Sequence, residues 1–146
     1  MPVTSLDRQI EKRLLDHDVR YTAGRRTVVA ALDAADGPMS AAELHATIDG
    51  QLPLSSIYRT LTVLEEVGVL APHHGTKGLT RYELAEWLGG HHHHLICIEC
   101  GSVEDIVVTD AHERQVDRVV GEISAAASFA ALNHALEIEG RCARCR

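Results

Sequence analysis

The sequence predicts an α+β chain, with an N-terminal winged helix-turn-helix domain and a small C-terminal α/β domain closed by a four-cysteine zinc site. Three observations predict it. Apolar residues recur at helical spacing in successive stretches up to residue 68, and two short strand-like runs follow. Two Cys-x-x-Cys pairs, Cys97 with Cys100 and Cys142 with Cys145, bracket the last part of the chain. Four consecutive histidines, His91 to His94, run directly into the first pair.

Leu6, Ile10 and Leu14 stand at i, i+4 and i+8, one face of a first helix over about 6–16. Thr22 is placed to cap a second helix, whose apolar set Val28, Val29, Ala31 and Leu32 runs until Gly37-Pro38 stops it. Ser40 and Glu43 have capping-box spacing for a third helix over about 41–49. After the turn Gly50-Gln51-Leu52-Pro53, a fourth helix starts near Ser55 or Ser56, buries Ile57, Leu61 and Leu64, and ends at Gly68. Val69-Leu70 and Arg81-Tyr82-Glu83-Leu84 flank a turn at Gly75 to Gly78 and form a β-hairpin. Helices followed by a hairpin is the winged-helix order.

Trp87-Leu88-Gly89-Gly90 reads as a hinge at about 86–91, which divides the chain into domains 1–88 and 91–146. Beyond it, His93 to Ile98 and Val103 to Val108 are expected as strands flanking the Cys97–Cys100 turn. Asp110 is expected to cap a helix to about Ala127 with Val116, Val119, Val120 and Ile123 inward, and His134 to Glu139 alternates like a strand.

The formal charge of −7 does not advertise a nucleic-acid partner. Residues 1–88 carry nine Lys/Arg against twelve Asp/Glu, so a case for DNA rests on local placement of charge. No stretch has the apolar length of a membrane span, and residues 1–7 lack a charged-then-apolar leader, so a cytoplasmic protein with no membrane partner is expected. In that compartment paired Cys-x-x-Cys turns point to metal before disulfide.

Each turn can direct two thiolates at one ion, and two turns complete a tetrahedral set suited to Zn²⁺ at about 2.3 Å. A thioredoxin-like redox pair or inert buried thiols is the plainer alternative, but two matched pairs flanking one domain fit it poorly. Ten histidines in 146 residues is an excess, and the run of four is internal, unlike a purification tag. In an extended segment successive side chains face opposite ways, so His91 and His93 would serve one site and His92 and His94 another. Imidazoles suit Zn²⁺, Fe²⁺, Ni²⁺ or Co²⁺, and added carboxylates shift the preference toward harder ions. His17 and His45 read as ordinary surface residues.

On the fourth helix, Ser55, Ser56, Tyr58, Arg59 and Thr62 lie off the buried face near its start, where recognition helices touch base edges. Arg20, Arg25 and Arg26 add positive charge around the second helix. An amphipathic helix with one arginine can also be no more than a helix.

Taken together, Ser-Ile-Tyr-Arg-Thr-Leu at 56–61, Gly-Val-Leu at 68–70, Arg-Tyr-Glu-Leu at 81–84, the His-run-plus-Cys-x-x-Cys at 91–101 and Gly-Arg-Cys-Ala-Arg-Cys at 140–145 resemble the ferric uptake regulator family over nearly the whole chain. The resemblance implies a repressor of metal-homeostasis genes that binds palindromic double-stranded operator DNA as a homodimer, through an N-terminal winged helix and a C-terminal dimerisation domain. It implies structural zinc on Cys97, Cys100, Cys142 and Cys145, and a hinge sensor site on Glu83, His92 and His94. A second site takes His91, His93 and His134, with the usual carboxylate position falling on His112 by count and Glu113 next to it. The co-repressor is a second divalent metal, Fe²⁺, Zn²⁺, Mn²⁺ or Ni²⁺. Ser56, Tyr58, Arg59 and the basic residues Arg20, Arg25 and Arg26 are the DNA-contact candidates.

Two departures stand out. Pro38 replaces a histidine that many members use as a sensor ligand, leaving His73, His74 or Glu86 as substitutes, and the stretch from Tyr82 to His91 is about two residues longer than usual. Rival readings are a metal buffer or chaperone, and a DNA-binding regulator of this fold with altered or lost sensing. An enzyme acting on a small-molecule substrate is not expected, since no His-Glu-x-x-His, deaminase or nucleophile-elbow motif is present.

Overall fold

A computed structural model describes residues 2–75 and 78–146; the expected hairpin turn falls partly on Thr76 and Lys77, outside the described residues. The chain divides into two units, Met1–Gly90 and His91–Arg146.

In the first unit, α1 (Ser5–Asp16) opens on a full capping box: Thr4 Oγ1 accepts from the Asp7 amide, and the Asp7 carboxylate accepts from the Thr4 amide, both at 3.0 Å. Thr22 caps α2 (Ala23–Asp33) through the Arg25 amide. Ser40 caps α3 (Ala41–Thr47) through the Glu43 amide at 3.1 Å. The Glu43 side chain is recruited elsewhere: Nε and Nη2 of Arg81, on the hairpin, both lie 3.0 Å from its Oε1. Two charge-assisted contacts from one guanidinium to one carboxylate oxygen are stronger than a neutral cap.

α4 (Leu54–Glu66) starts after Pro53 and stops where Gly68 turns with φ +76°. β1 (Leu70–His74) and β2 (Thr80–Leu84) pair antiparallel, Leu70 opposite Leu84, and Met39 bridges to Tyr82 in front of α3. Ile10, Leu14, Val28, Leu44, Ile57 and Leu64 are wholly buried where the four helices meet the hairpin. The expected hinge is partly built: Glu86–Gly89 form a helical turn, α5, with Leu88 packed on this core. The half-buried Leu88 on the core and the Trp87 indole N–H, donated to the Gly68 carbonyl at 2.8 Å, hold this turn despite the glycines. Gly90, at φ +82°, follows α5 directly.

In the second unit, β3 (His93–Cys97) lies between β4 (Val103–Ile106), antiparallel with Ile96 opposite Val103, and β5 (Glu137–Gly140), parallel with Leu95 opposite Ile138. The parallel pair needs a crossover, which α6 (Asp110–Ala126) supplies. Two expectations are corrected here. Thr109, not Asp110, caps α6, its Oγ1 accepting from the His112 amide at 3.2 Å, while Asp110 takes the first helical position, where negative charge favours the dipole. The apolar side of α6 is not shielded within the chain either: Val119 is 52% and Ile123 64% exposed. Three short strands offer too little surface to cover a helix of this length.

Among the described residues the buried apolar side chains of this unit are Ile96, Cys97 and Val103. So small a core needs another source of stability. No helix of the described residues is long and apolar enough to cross a membrane.

Candidate metal centres

The end of β3, the tight turn after it and the segment after β5 bring Cys97, Cys100, Cys142 and Cys145 together, with all four Sγ atoms within 4.8 Å of one another. Cys100 and Cys142 are 3.9 Å apart, close to the ~3.8 Å edge of a tetrahedron with ~2.3 Å zinc–sulfur bonds. The Cys142 amide points at Cys97 Sγ at 3.4 Å. Amides of Cys100 and Cys142 draw the Cys97 thiol down to about 6, so it is a thiolate near neutrality. Cys145, hydrogen-bonded to Cys142, is pushed the other way, to about 12. A cation among the four thiols would remove that contrast by deprotonating them all. The donor set fits a structural zinc.

The histidine run splits into two groups. His91, His93 and His134 converge on the carboxylate of Glu113, at 2.9, 2.8 and 2.8 Å from their Nε2 atoms. His93 is 2% exposed, and its Nδ1 has no hydrogen-bond partner among the described residues. Held by these imidazoles, chiefly His93, the Glu113 carboxyl falls to about 2. Three imidazoles aimed at one permanently charged carboxylate make a donor set that a divalent ion fits, Zn²⁺ in particular. The position given to His112 is corrected: His112 is not in this group, and Glu113 takes its place. With Thr109 as cap, each residue advances about 100° around α6, and the one that faces the imidazoles is Glu113.

His92 and His94 meet Asp105 instead, their Nε2 atoms 3.5 and 3.4 Å from its Oδ1. Their rings stand edge to face, centroids 5.0 Å apart. Asp105 was missed from sequence because strand register places it: with Ile96 opposite Val103, His94 stands directly opposite Asp105. Glu83 lies on β2, opposite Ala71, in the first unit. His73 and His74 lie on β1 and Glu86 opens α5 in that same unit.

Of the DNA-contact candidates, Tyr58 is 56% exposed and Arg59 stands exposed beside it on α4, while Ser56, two residues before Tyr58, is half-buried. Arg20 is exposed, and Arg25 reaches back to its carbonyl. Arg26 stacks over Tyr21 at 4.1 Å and lies 3.7 Å from both Asp7 and Glu11, which joins α1 to α2.

The Ferric uptake regulator family model matches residues 16–139. The ferric uptake regulation protein of Bacillus subtilis strain 168 is 32% identical over 142 residues, covering 94% of this chain and 92% of that protein. The crystal structure of the Vibrio cholerae ferric uptake regulator superposes with a TM-score of 0.69 at 27% identity, over 90% of this chain and 98% of that one. A zinc-bound manganese uptake regulator gives 0.69 at 25% identity, over 91% and 98%. With the match running almost end to end and the cysteine and histidine groups assembled, the chain belongs to the ferric uptake regulator family.

Proposed function

We propose that the chain is a cytoplasmic, metal-responsive repressor that binds palindromic operator DNA as a homodimer and controls genes of metal homeostasis. One observation carries the reading: a four-histidine segment just after Gly90 is divided between two ligand groups, each with its own carboxylate, Glu113 or Asp105. A buffer would need ligands but no exposed Tyr58 and Arg59 on a helix of a winged-helix unit. The manganese and ferric uptake regulators it resembles lend further support.

In this reading Cys97, Cys100, Cys142 and Cys145 hold a structural zinc, and His91, His93, Glu113 and His134 hold a second ion. His92, His94 and Asp105 are the sensor ligands, and Glu83 is added by the resemblance. With Asp105 available, the replacement of a histidine by Pro38 does not empty the sensor set. Metal here favours the arrangement of the dimer that an operator accepts, and without it only a fraction of molecules is competent. Each imidazole must be neutral to coordinate, so acid weakens sensing. The open apolar side of α6 supports the homodimer, since a second copy would cover Val119 and Ile123.

The test is binding of a duplex, selected from a random pool by the Zn²⁺-loaded protein, followed by fluorescence anisotropy. With the four-cysteine zinc kept in place throughout, wild type should bind far more tightly with added Zn²⁺ than with a weak chelator, and His92→Ala/His94→Ala should lose that gain. A double variant that kept it would overturn the sensor assignment.

A further inference from the structure

The chain's single tryptophan is not a core residue. Trp87 is 42% exposed on α5, yet it is held from two sides. Its indole N–H donates to the Gly68 carbonyl at 2.8 Å, and the Arg13 guanidinium lies 4.2 Å over its ring. Arg13 also donates from Nη1 to the Val67 carbonyl at 3.2 Å.

Val67 and Gly68 are the residues on which α4 ends, where carbonyls lack helical partners and positive charge is favoured. Gly68 suits this meeting point: its φ is +76°, and a Cβ there would stand 3.0 Å from Arg13 Nη1. The Ala85 amide donates to Val69 at 2.9 Å just before α5 begins. The last segment of the first unit is thus fastened to the C-terminal end of the helix that carries Tyr58 and Arg59. After α5 come Gly90 and then the histidines.

We propose that Arg13, Trp87 and the Gly68 carbonyl form a clamp that links the chain leading into the histidine run to α4, and so act as positioning residues for metal-dependent DNA binding. The proposal rests on the functional reading above. A restraint imposed on His92 and His94 reaches α5 through one intervening glycine and His91. The clamp passes it to a rigid helix, about 12 Å from Tyr58 to its end. Without the clamp, α5 can move while α4 stays where it is. Metal binding and DNA contact would each survive, but the two would no longer depend on one another.

The measured quantity is a coupling ratio, the Kd for the selected duplex with a weak chelator that leaves zinc on Cys97, Cys100, Cys142 and Cys145 divided by the Kd with added Zn²⁺. Arg13→Met keeps the volume of the side chain and removes its charge and hydrogen bond; Trp87→Ala removes ring and donor; Trp87→Phe keeps a ring under Arg13 and removes the N–H. In Arg13→Met and Trp87→Ala the ratio should fall at least fivefold, with zinc per chain and the chelated Kd within twofold of wild type. Trp87→Phe should lie between them and wild type. A residue that only stabilised the first unit would lower the melting temperature and leave the ratio alone, so ratios within twofold of wild type overturn the clamp. If Trp87→Ala does not fold, Arg13→Met and Trp87→Phe decide by the same criterion. A wild-type ratio near one would overturn the functional reading and the clamp with it, whereas a large wild-type ratio that the variants leave unmoved would overturn the clamp alone.

Discussion

Removing zinc from the four thiols should unfold the second unit while the first stays folded. The buried apolar side chains there, apart from Cys97, are Ile96 and Val103. Full burial of two such residues contributes roughly 3–6 kcal/mol. Structural zinc in peptides is worth about 10–16 kcal/mol near neutrality, several times more. The metal, bound by residues on both sides of the α6 crossover, is therefore the main stabiliser of 91–146. The first unit has its own core, including Ile10, Leu14, Val28 and Leu44, and no cysteine. Hydrogen exchange on the whole protein separates the two. After exhaustive chelation, or in Cys142→Ser, amides of β3, β4 and β5 should lose protection while those of α2 and α4 keep it. Protection of residues 93–97 left unchanged by complete zinc removal would refute the reasoning.

Three further outcomes follow from the same geometry. Leu61→Ala, at a site 1% exposed, should cost the first unit about 2–5 kcal/mol in denaturant unfolding, with no change in zinc content. Arg59→Ala should weaken operator binding and lower the salt slope by about one, whereas Arg26→Ala should lower stability and leave the slope unchanged. Glu113 ionises well below its ordinary value, so its ionised form stabilises the native state above that ordinary value. That contribution is lost as pH falls from about 4.5 through about 2, and Glu113→Gln should flatten the apo protein's acid unfolding curve over this range.

Much of this was legible in the sequence because local chemistry decides it. Thr22 and Ser40 cap where spacing says they should, and the Cys-x-x-Cys turns converge. Alternation along an extended segment is enough to divide the histidines into two groups. What escaped depends on partners distant in sequence. Glu43 satisfies the local capping pattern, yet Arg81, 38 residues away, takes its carboxylate. Asp105 becomes a neighbour of His94 only through strand register, and a position counted along the chain from Cys97 falls on His112, one residue short of the Glu113 that the fold brings to the imidazoles. Trp87 looked like part of a loose hinge because its donor and ring partners, Gly68 and Arg13, come from 19 and 74 residues upstream. For α6, periodicity showed which side is apolar but not whether the covering surface lies in the same chain.

The central claim is that metal and DNA binding are one coupled equilibrium, and thermodynamic reciprocity tests it most directly. Titrating Zn²⁺ into the protein with Cys97, Cys100, Cys142 and Cys145 already loaded, free and then bound to its duplex, gives two affinities for the sensor ions. Their ratio should equal the factor by which Zn²⁺ tightens DNA binding, as linkage requires. A sensor-ion affinity identical on and off DNA would contradict the account and leave a zinc-stapled DNA-binding protein without a switch.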